Sequence, residues 1–249
     1  MSHIALSPVI KQQMTHRSIR QYQDEPIAPD LLETLIRAGQ AAATSSFIQA
    51  YSVVRVTRPE TRSAIAVAAG GQQWIEQAAE FLVFCADLRR INDACRRSDA
   101  GEIEGWSEHG IAAIVDVALM AQNVLLAAES VGLGGVFIGG IRNDPRAVAD
   151  QLRLPNLVAP VFGMCLGWPA TSPEVKPRMP VNLILHQDTY RDPEPDELAD
   201  YDATMADYYR RRSTNTRTSD WSAVTAQAMQ GKKREHMLAF LREQGLFRR

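Results

Sequence analysis

Apolar and polar positions alternate along this chain with periods that change from segment to segment. Ser7-Pro8 reads as an N-cap followed by proline at the first helical position, so a short helix is expected to end near Met14. Pro29-Asp30 opens a second helix, whose apolar face carries Leu31, Leu32, Leu35, Ile36 and Ala38. Residues 52–56 predict a strand, and Pro59-Glu60 a third helix. The run from Glu80 to Asp87 is apolar between two charges, the pattern of a strand covered on both faces. Residues 88–107 turn polar and glycine-punctuated and predict a flexible excursion. From about Glu108 to Val131 comes the longest predicted helix, apolar on nearly every side, with Asp116, Asn123 and Ser130 spaced seven apart in one narrow polar seam. Such a helix belongs at the centre of a large core or between subunits, and the pattern alone does not separate the two. Gly134 to Gly140 predicts a short strand bracketed by glycine pairs, and Ala159 to Trp168 a last central strand. Pro173, Pro177, Pro180, Pro193 and Pro195 then mark an extended crossing segment and linker before a charged, helical end at about 196–249. The reading is one α+β core followed by a helical arm.

Composition narrows the function. The 249 residues hold 27 Lys and Arg against 29 Asp and Glu, a net charge of −2 that argues against a nucleic-acid-binding protein. Cys85, Cys95 and Cys165 have no close pair and no metal-site spacing, which suits a reducing compartment. Lys11, Gln12 and Gln13 interrupt the N-terminus too early for a signal-peptide core. The long helix is broken by Asp116, Gln122 and Asn123 and makes a poor membrane span. A cytoplasmic protein without membrane or nucleic-acid partners is expected.

Chemistry concentrates in a few places. His16-Arg17-Ser18-Ile19-Arg20 sets two guanidinium groups, a hydroxyl and an imidazole within five residues, and Lys176-Pro177-Arg178 adds a second basic pair. Arginine forks match phosphate or carboxylate. Two readings of the first run stand level: an anion site, or a solvated helix end. Gly139 and Gly140 would let backbone approach a flat ligand, although a tight turn after a strand accounts for the pair more readily. Ser45-Ser46-Phe47-Ile48-Gln49 is a polar loop, and Gln72, after Gly70-Gly71, offers a donor and an acceptor to a heteroaromatic edge. Arg210-Arg211-Arg212 with Arg217, and Lys232-Lys233-Arg234, read first as solvated faces. Gly132-Leu133-Gly134 lacks the third glycine of a dinucleotide fingerprint, because Phe137 stands there; a helix also precedes it and a strand follows, the reverse of that motif. No Walker A, HExxH or GxSxG pattern occurs. Anion binders without acid–base groups point to a cofactor that carries the chemistry itself.

Six features in order resemble the nitroreductase superfamily, and within it the A-type oxygen-insensitive NADPH nitroreductase and flavin reductase branch. They are HRSIR with DEPI, SSF-Q, GGQ with QAAEF-VFCAD, AQN-L-AAES-GLGGV-IGG-RN, FG-CLGWP and KPR-P. The resemblance runs nearly end to end. It implies a mostly antiparallel central sheet surrounded by helices, an FMN-binding core over residues 1–190, and a C-terminal linker and arm over 191–249 covering the active site. It implies a homodimer, with the long helix at the subunit contact. His16, Arg17, Ser18, Arg20, Ser45, Gln72, Ile138, Gly139, Gly140, Lys176 and Arg178 correspond to cofactor-binding positions. Arg212 and Arg217 correspond to arginines that meet the 2′-phosphate of NADPH, although Ser213 replaces an expected glycine and Thr218 an expected arginine. Ser46, Phe47 and Arg234 correspond to the substrate space. The implied activity passes hydride from NADPH through flavin N5 to nitroaromatics or quinones, with no catalytic side chain and no metal. Free flavin is the alternative acceptor, and a non-catalytic flavin-binding regulator the alternative of another class.

Overall fold

The computed structural model describes residues 6–213, 216–231 and 233–249; His3 and Lys232 lie outside them. Helix α1 spans Pro8–Met14, where the Ser7 hydroxyl accepts from the Ile10 amide and caps the first turn. Helix α2 (Pro29–Gln40) leads through a 3-10 turn at Ser45–Phe47 into strand β1 (Tyr51–Arg55). Helix α3 (Pro59–Ala68) and the single turn α4 (Trp74–Gln77) precede β2 (Glu80–Asp87). Then come α5 (Arg89–Arg97), α6 (Ser107–Ser130), β3 (Gly134–Ile138), a 3-10 turn (Gly139–Asn143), α7 (Pro145–Gln151) and β4 (Val158–Gly167). Helices α8 (Pro195–Arg211), α9 (Trp221–Met229) and α10 (Met237–Glu243) complete the chain.

The sheet has the order β1-β2-β4-β3, and every neighbouring pair is antiparallel. β2 is buried along its whole length, as its unbroken apolar run requires. Glu80, at its start, is 3% exposed and receives a bidentate fork from Arg55 on the neighbouring strand. One face of the sheet packs on α6 and α2, the other on α3 and α7. Gly39 sets the approach of α2 to α6: a Cβ there would meet Val124 at 2.5 Å.

One expectation changes. Residues 88–107 are not a featureless excursion. They contain α5, which turns Ile91, Asn92 and Cys95 inward, and the Asn92 side chain accepts from the Ile103 amide at 2.8 Å. The arginines on the other face hid this amphipathicity. Helix α6 is covered on one side only within the single chain. Val117, Met120, Val124 and Leu125 are buried, whereas Ile111, Val115 and Leu119, each one turn apart, are 51%, 48% and 44% exposed. By length and composition α6 could cross a membrane, yet its inner face is the main core contact of the sheet.

Backbone contacts divide the chain into two compact units, residues 1–172 with 234–249, and residues 173–233. This differs from a division at 190/191. The last sixteen residues return to the first unit, where Phe240 and Leu246 are buried and the Arg248 amide donates to the Gly105 carbonyl at 2.8 Å. In the second unit Tyr201, Met205 and Tyr209 of α8 pack together with Trp221 and Val224 of α9.

Candidate active site

In the first unit the basic run lies along the end of the sheet. The Ile19 amide donates to the Gly135 carbonyl at 2.9 Å, and Tyr22 bridges to Pro169 beyond β4. Gly134 permits this: a Cβ there would stand 2.4 Å from the buried Ile19 side chain. With Ile19 turned inward, Arg17 and Arg20 face outward and Ser18 is half-buried. Half-buried His16 donates from Nδ1 to the Glu129 carboxylate at 2.6 Å, tying the run to the end of α6. A cleft of about 250 Å³ opens here, with Thr15, Arg17, Glu129, Gly132 and Ser172 on its walls. Tyr22 donates to the Ile19 carbonyl at 2.7 Å, and burial pushes its phenol well above the usual range.

The Arg20 guanidinium lies 5.7 Å from the centre of the Trp74 ring, which joins the basic run to the Gly70–Gln72 loop. That loop meets the turn after β3. The Gln72 amide nitrogen donates to the Ala69 carbonyl at 2.9 Å, and Gly140 packs directly against both groups. A Cβ on Gly140 would come to 2.1 Å from Gln72 Nε2 and 2.5 Å from the Ala69 oxygen. Position 140 therefore requires glycine, because any Cβ there would collide with the Gln72 amide and the Ala69 carbonyl. Ile138 is buried beneath it. Arg234 Nε donates to the Asn143 side chain at 2.9 Å, and His236 Nε2 contacts the Arg142 carbonyl at 3.0 Å. The half-buried Arg142 guanidinium is held below its usual range, first by desolvation and then by Arg234. Two arginines thus stand together just past the glycine turn.

The Ser45–Phe47 turn is held by α6. Ser46 and Phe47 have φ of 46° and 58°, and Phe47 is 80% exposed. In the second unit, three cations gather on one buried ring: Lys176, Arg212 and Arg217 lie 5.6, 5.1 and 5.9 Å from the centre of Tyr209. The Arg217 amide also donates to the Tyr209 carbonyl. Glu174 accepts from the Ser213 amide at 2.9 Å, and this bond holds its carboxyl below the usual range. Arg178 is exposed beside Tyr201.

The chain matches the nitroreductase family over residues 14–168 and the C-terminal domain of that family over residues 176–249. This chain belongs to the nitroreductase family. The oxygen-insensitive NADPH nitroreductase of Salmonella typhimurium is 42% identical over 240 residues, covering 96% of this chain and 98% of that protein. The NADPH-flavin oxidoreductase of Vibrio harveyi is 44% identical over 239 residues, covering 95% and 97%. Nitroreductase A from Vibrio parahaemolyticus superposes with a TM-score of 0.91 at 43% identity, over 98% of this chain and all of that one. The nitroreductase fold and its α+β class follow directly.

Within that family fold, the first unit brings His16, Arg17, Ser18 and Arg20 alongside the Gln72 loop, Ile138, Gly139 and Gly140, with Arg234 beyond the turn. The second unit brings Lys176 to Arg212 and Arg217. Glu129, Trp74, Arg142, Asn143 and Tyr209 were not singled out from the sequence. Arg142 and Asn143 had a signal, because they follow Ile138-Gly139-Gly140 immediately. Glu129 and Tyr209 had none, since an acid on one helix and an aromatic on another declare their partners only in three dimensions.

The first-unit donor set fits FMN. Arg17 and Arg20 could offer charge to a phosphate, Ser18 a hydroxyl and Gln72 an amide, and Gly140 leaves a backbone surface that a Cβ would obstruct. Trp74 Nε1 is buried and, among the described residues, has no hydrogen-bond partner, a donor left over in the same corner as Arg20.

Proposed function

We propose that this chain is an FMN-dependent NADPH oxidoreductase that reduces nitroaromatics or quinones. The observation that carries it is the convergence of the basic run, the Gln72 amide and the Gly139–Gly140 backbone in the first unit. When bound, FMN supplies the two-electron relay between nicotinamide and acceptor.

The chain's own residues bind, orient and shield. In the first unit Arg17, Arg20 and Ser18 hold the phosphate and ribityl side; in the second, Lys176 and Arg178 are assigned as cofactor-binding residues. The Glu129 carboxylate fixes the His16 ring, so that its Nδ1–H is committed and Nε2 faces away. Gln72, pinned by Ala69, keeps its amide oxygen turned to a ring edge. The N–H groups of the Gly139–Gly140 turn offer donors to developing negative charge without reorganising. Arg212 and Arg217, spread on Tyr209, present a cationic surface to the 2′-phosphate of NADPH. Ser45 is assigned to the cofactor, and Ser46, Phe47 and Arg234 border the acceptor.

The protein acts as a cytoplasmic homodimer in this reading. The exposed Ile111, Val115 and Leu119 stripe of α6 is an apolar seam that a second copy would cover. Free flavin is the second reading for the acceptor, supported by the identity to the Vibrio harveyi enzyme. The purified protein is expected to carry one FMN per chain and to give parallel reciprocal plots when NADPH and a nitroaromatic are varied together. Intersecting plots would mean that both substrates bind at once and would refute an order in which NADPH leaves before the acceptor binds.

A further inference from the structure

Asp116 is the most deeply buried charge of α6, with 0% exposure, and nothing in the proposed chemistry uses it. Its two carboxylate oxygens go to two backbone amides on the loop that follows α2. Oδ1 accepts from Ser45 N at 2.9 Å, and Oδ2 accepts from Ala50 N at 3.1 Å. One side chain therefore brackets both ends of a six-residue span, residues 45–50. Between those anchors lie three non-glycine residues at positive φ: Ser46 at 46°, Phe47 at 58° and Gln49 at 51°. Left-handed backbone at such residues is disfavoured and persists only where the surroundings over-determine it. Phe47 stands at the crest of the loop, 80% exposed, so its own packing does not impose that conformation.

We infer that Asp116 is a positioning residue for the acceptor site: its carboxylate clamps residues 45–50 into the strained turn that presents Phe47. This rests on the reading of Phe47 as bordering the acceptor. The chemistry of the clamp is specific. Two N–H donors need two acceptor oxygens on one rigid group, which a carboxylate supplies and an amide does not. In Asp116→Asn one oxygen becomes an NH₂ that confronts an N–H donor, so one end of the loop is released. The loop then leaves its left-handed conformation, and Phe47 moves with it.

The test is a double-substitution cycle in the holoenzyme, reading kcat/KM for a nitroaromatic at saturating NADPH together with FMN per chain. Asp116→Asn and Phe47→Ala are each expected to lower kcat/KM about tenfold, within the range a displaced positioning group produces. Their combination is expected to fall no further than the worse single variant, because Asp116 acts through Phe47. FMN per chain is expected to stay within twofold of the parent. Losses that multiply to about a hundredfold, or an Asp116→Asn enzyme matching the parent while Phe47→Ala is impaired, would overturn the inference. A Phe47→Ala enzyme matching the parent would instead remove the reading of the loop on which the inference stands.

If Asp116→Asn does not fold, the loop side of the clamp can be cut instead. Ser45→Pro removes the amide that Oδ1 accepts from, and it suits the backbone, because Thr44 is extended at φ −135°, ψ 155°, and position 45 opens the 3-10 turn. Ser45→Ala loses the hydroxyl and keeps the amide. A lower kcat/KM in Ser45→Pro than in Ser45→Ala supports the clamp, and equal values overturn it.

Discussion

Gly140→Ala probes the contact between the glycine turn and the Gln72 loop. The new Cβ would stand 2.1 Å from Gln72 Nε2, the end of a flexible side chain, and 2.5 Å from the Ala69 oxygen, which is backbone. The amide can swing away only by giving up its bond to Ala69, and the carbonyl cannot swing at all. Ordinary contact begins near 3.4 Å, so the loop must retreat by 3.4 − 2.5 = 0.9 Å. Overpacking of this kind costs about 1–3 kcal/mol, and the lost hydrogen bond adds about 1 kcal/mol. The total of about 2–4 kcal/mol corresponds to a fall of about 4–16 °C in thermal midpoint for a chain of this size. The same retreat moves Gln72, so FMN affinity falls with it. Gly139→Ala is the matched control. Its Cβ would first meet Arg142 Nη2 at 3.1 Å, the far end of a long side chain, and should cost under about 1 kcal/mol. Calorimetry of the two holoproteins and titration of the apoproteins with FMN measure both effects. A Gly140→Ala protein with the parent's midpoint and affinity, or a Gly139→Ala protein damaged equally, would refute the packing argument.

Three other outcomes are expected. Arg17→Ala should weaken FMN binding by about 10- to 100-fold, the loss of one charge-assisted phosphate bond, measured by fluorescence titration; retention of FMN at the parent's affinity would remove Arg17 from the phosphate. Arg212→Ala should raise the KM for NADPH about tenfold while moving that for NADH little, and equal changes would show that Arg212 does not read the 2′-phosphate. Glu197 closes a capping box with Glu194 at the start of α8, and its hydrogen bonds, first to Arg191, hold its carboxyl at about 2 against an ordinary 4.5. Its contribution to α8 is thus complete above pH 4.5 and is lost as pH falls toward 2; a carboxyl titration by NMR centred near 4.5 would contradict this.

Much of the fold was legible because its signals are local. Ser7-Pro8, Pro29 and Pro59 open helices where expected, and the apolar run at 80–87 is β2 to the residue. Helix α5 was hidden because four arginines mask a narrow inward face. The partial exposure of α6 was hidden because an apolar pattern records hydrophobicity without saying what covers it. The candidate site divided in the same way. The basic run, Gln72 and the glycine turn carry their chemistry in their residue types. Glu129, Asp116 and Tyr209 act through partners 113, 71 and 33 positions away in the cases of His16, Ser45 and Lys176, and only folding brings them together.

The central claim, electron transfer from NADPH to an acceptor through bound FMN, is tested most directly by anaerobic stopped-flow absorbance. The protein is mixed first with NADPH and then with a nitroaromatic. Loss of the oxidised flavin band in the first step and its rapid return in the second is the predicted result. A band that neither NADPH nor NADH removes would contradict the account and leave a flavin-binding protein without turnover.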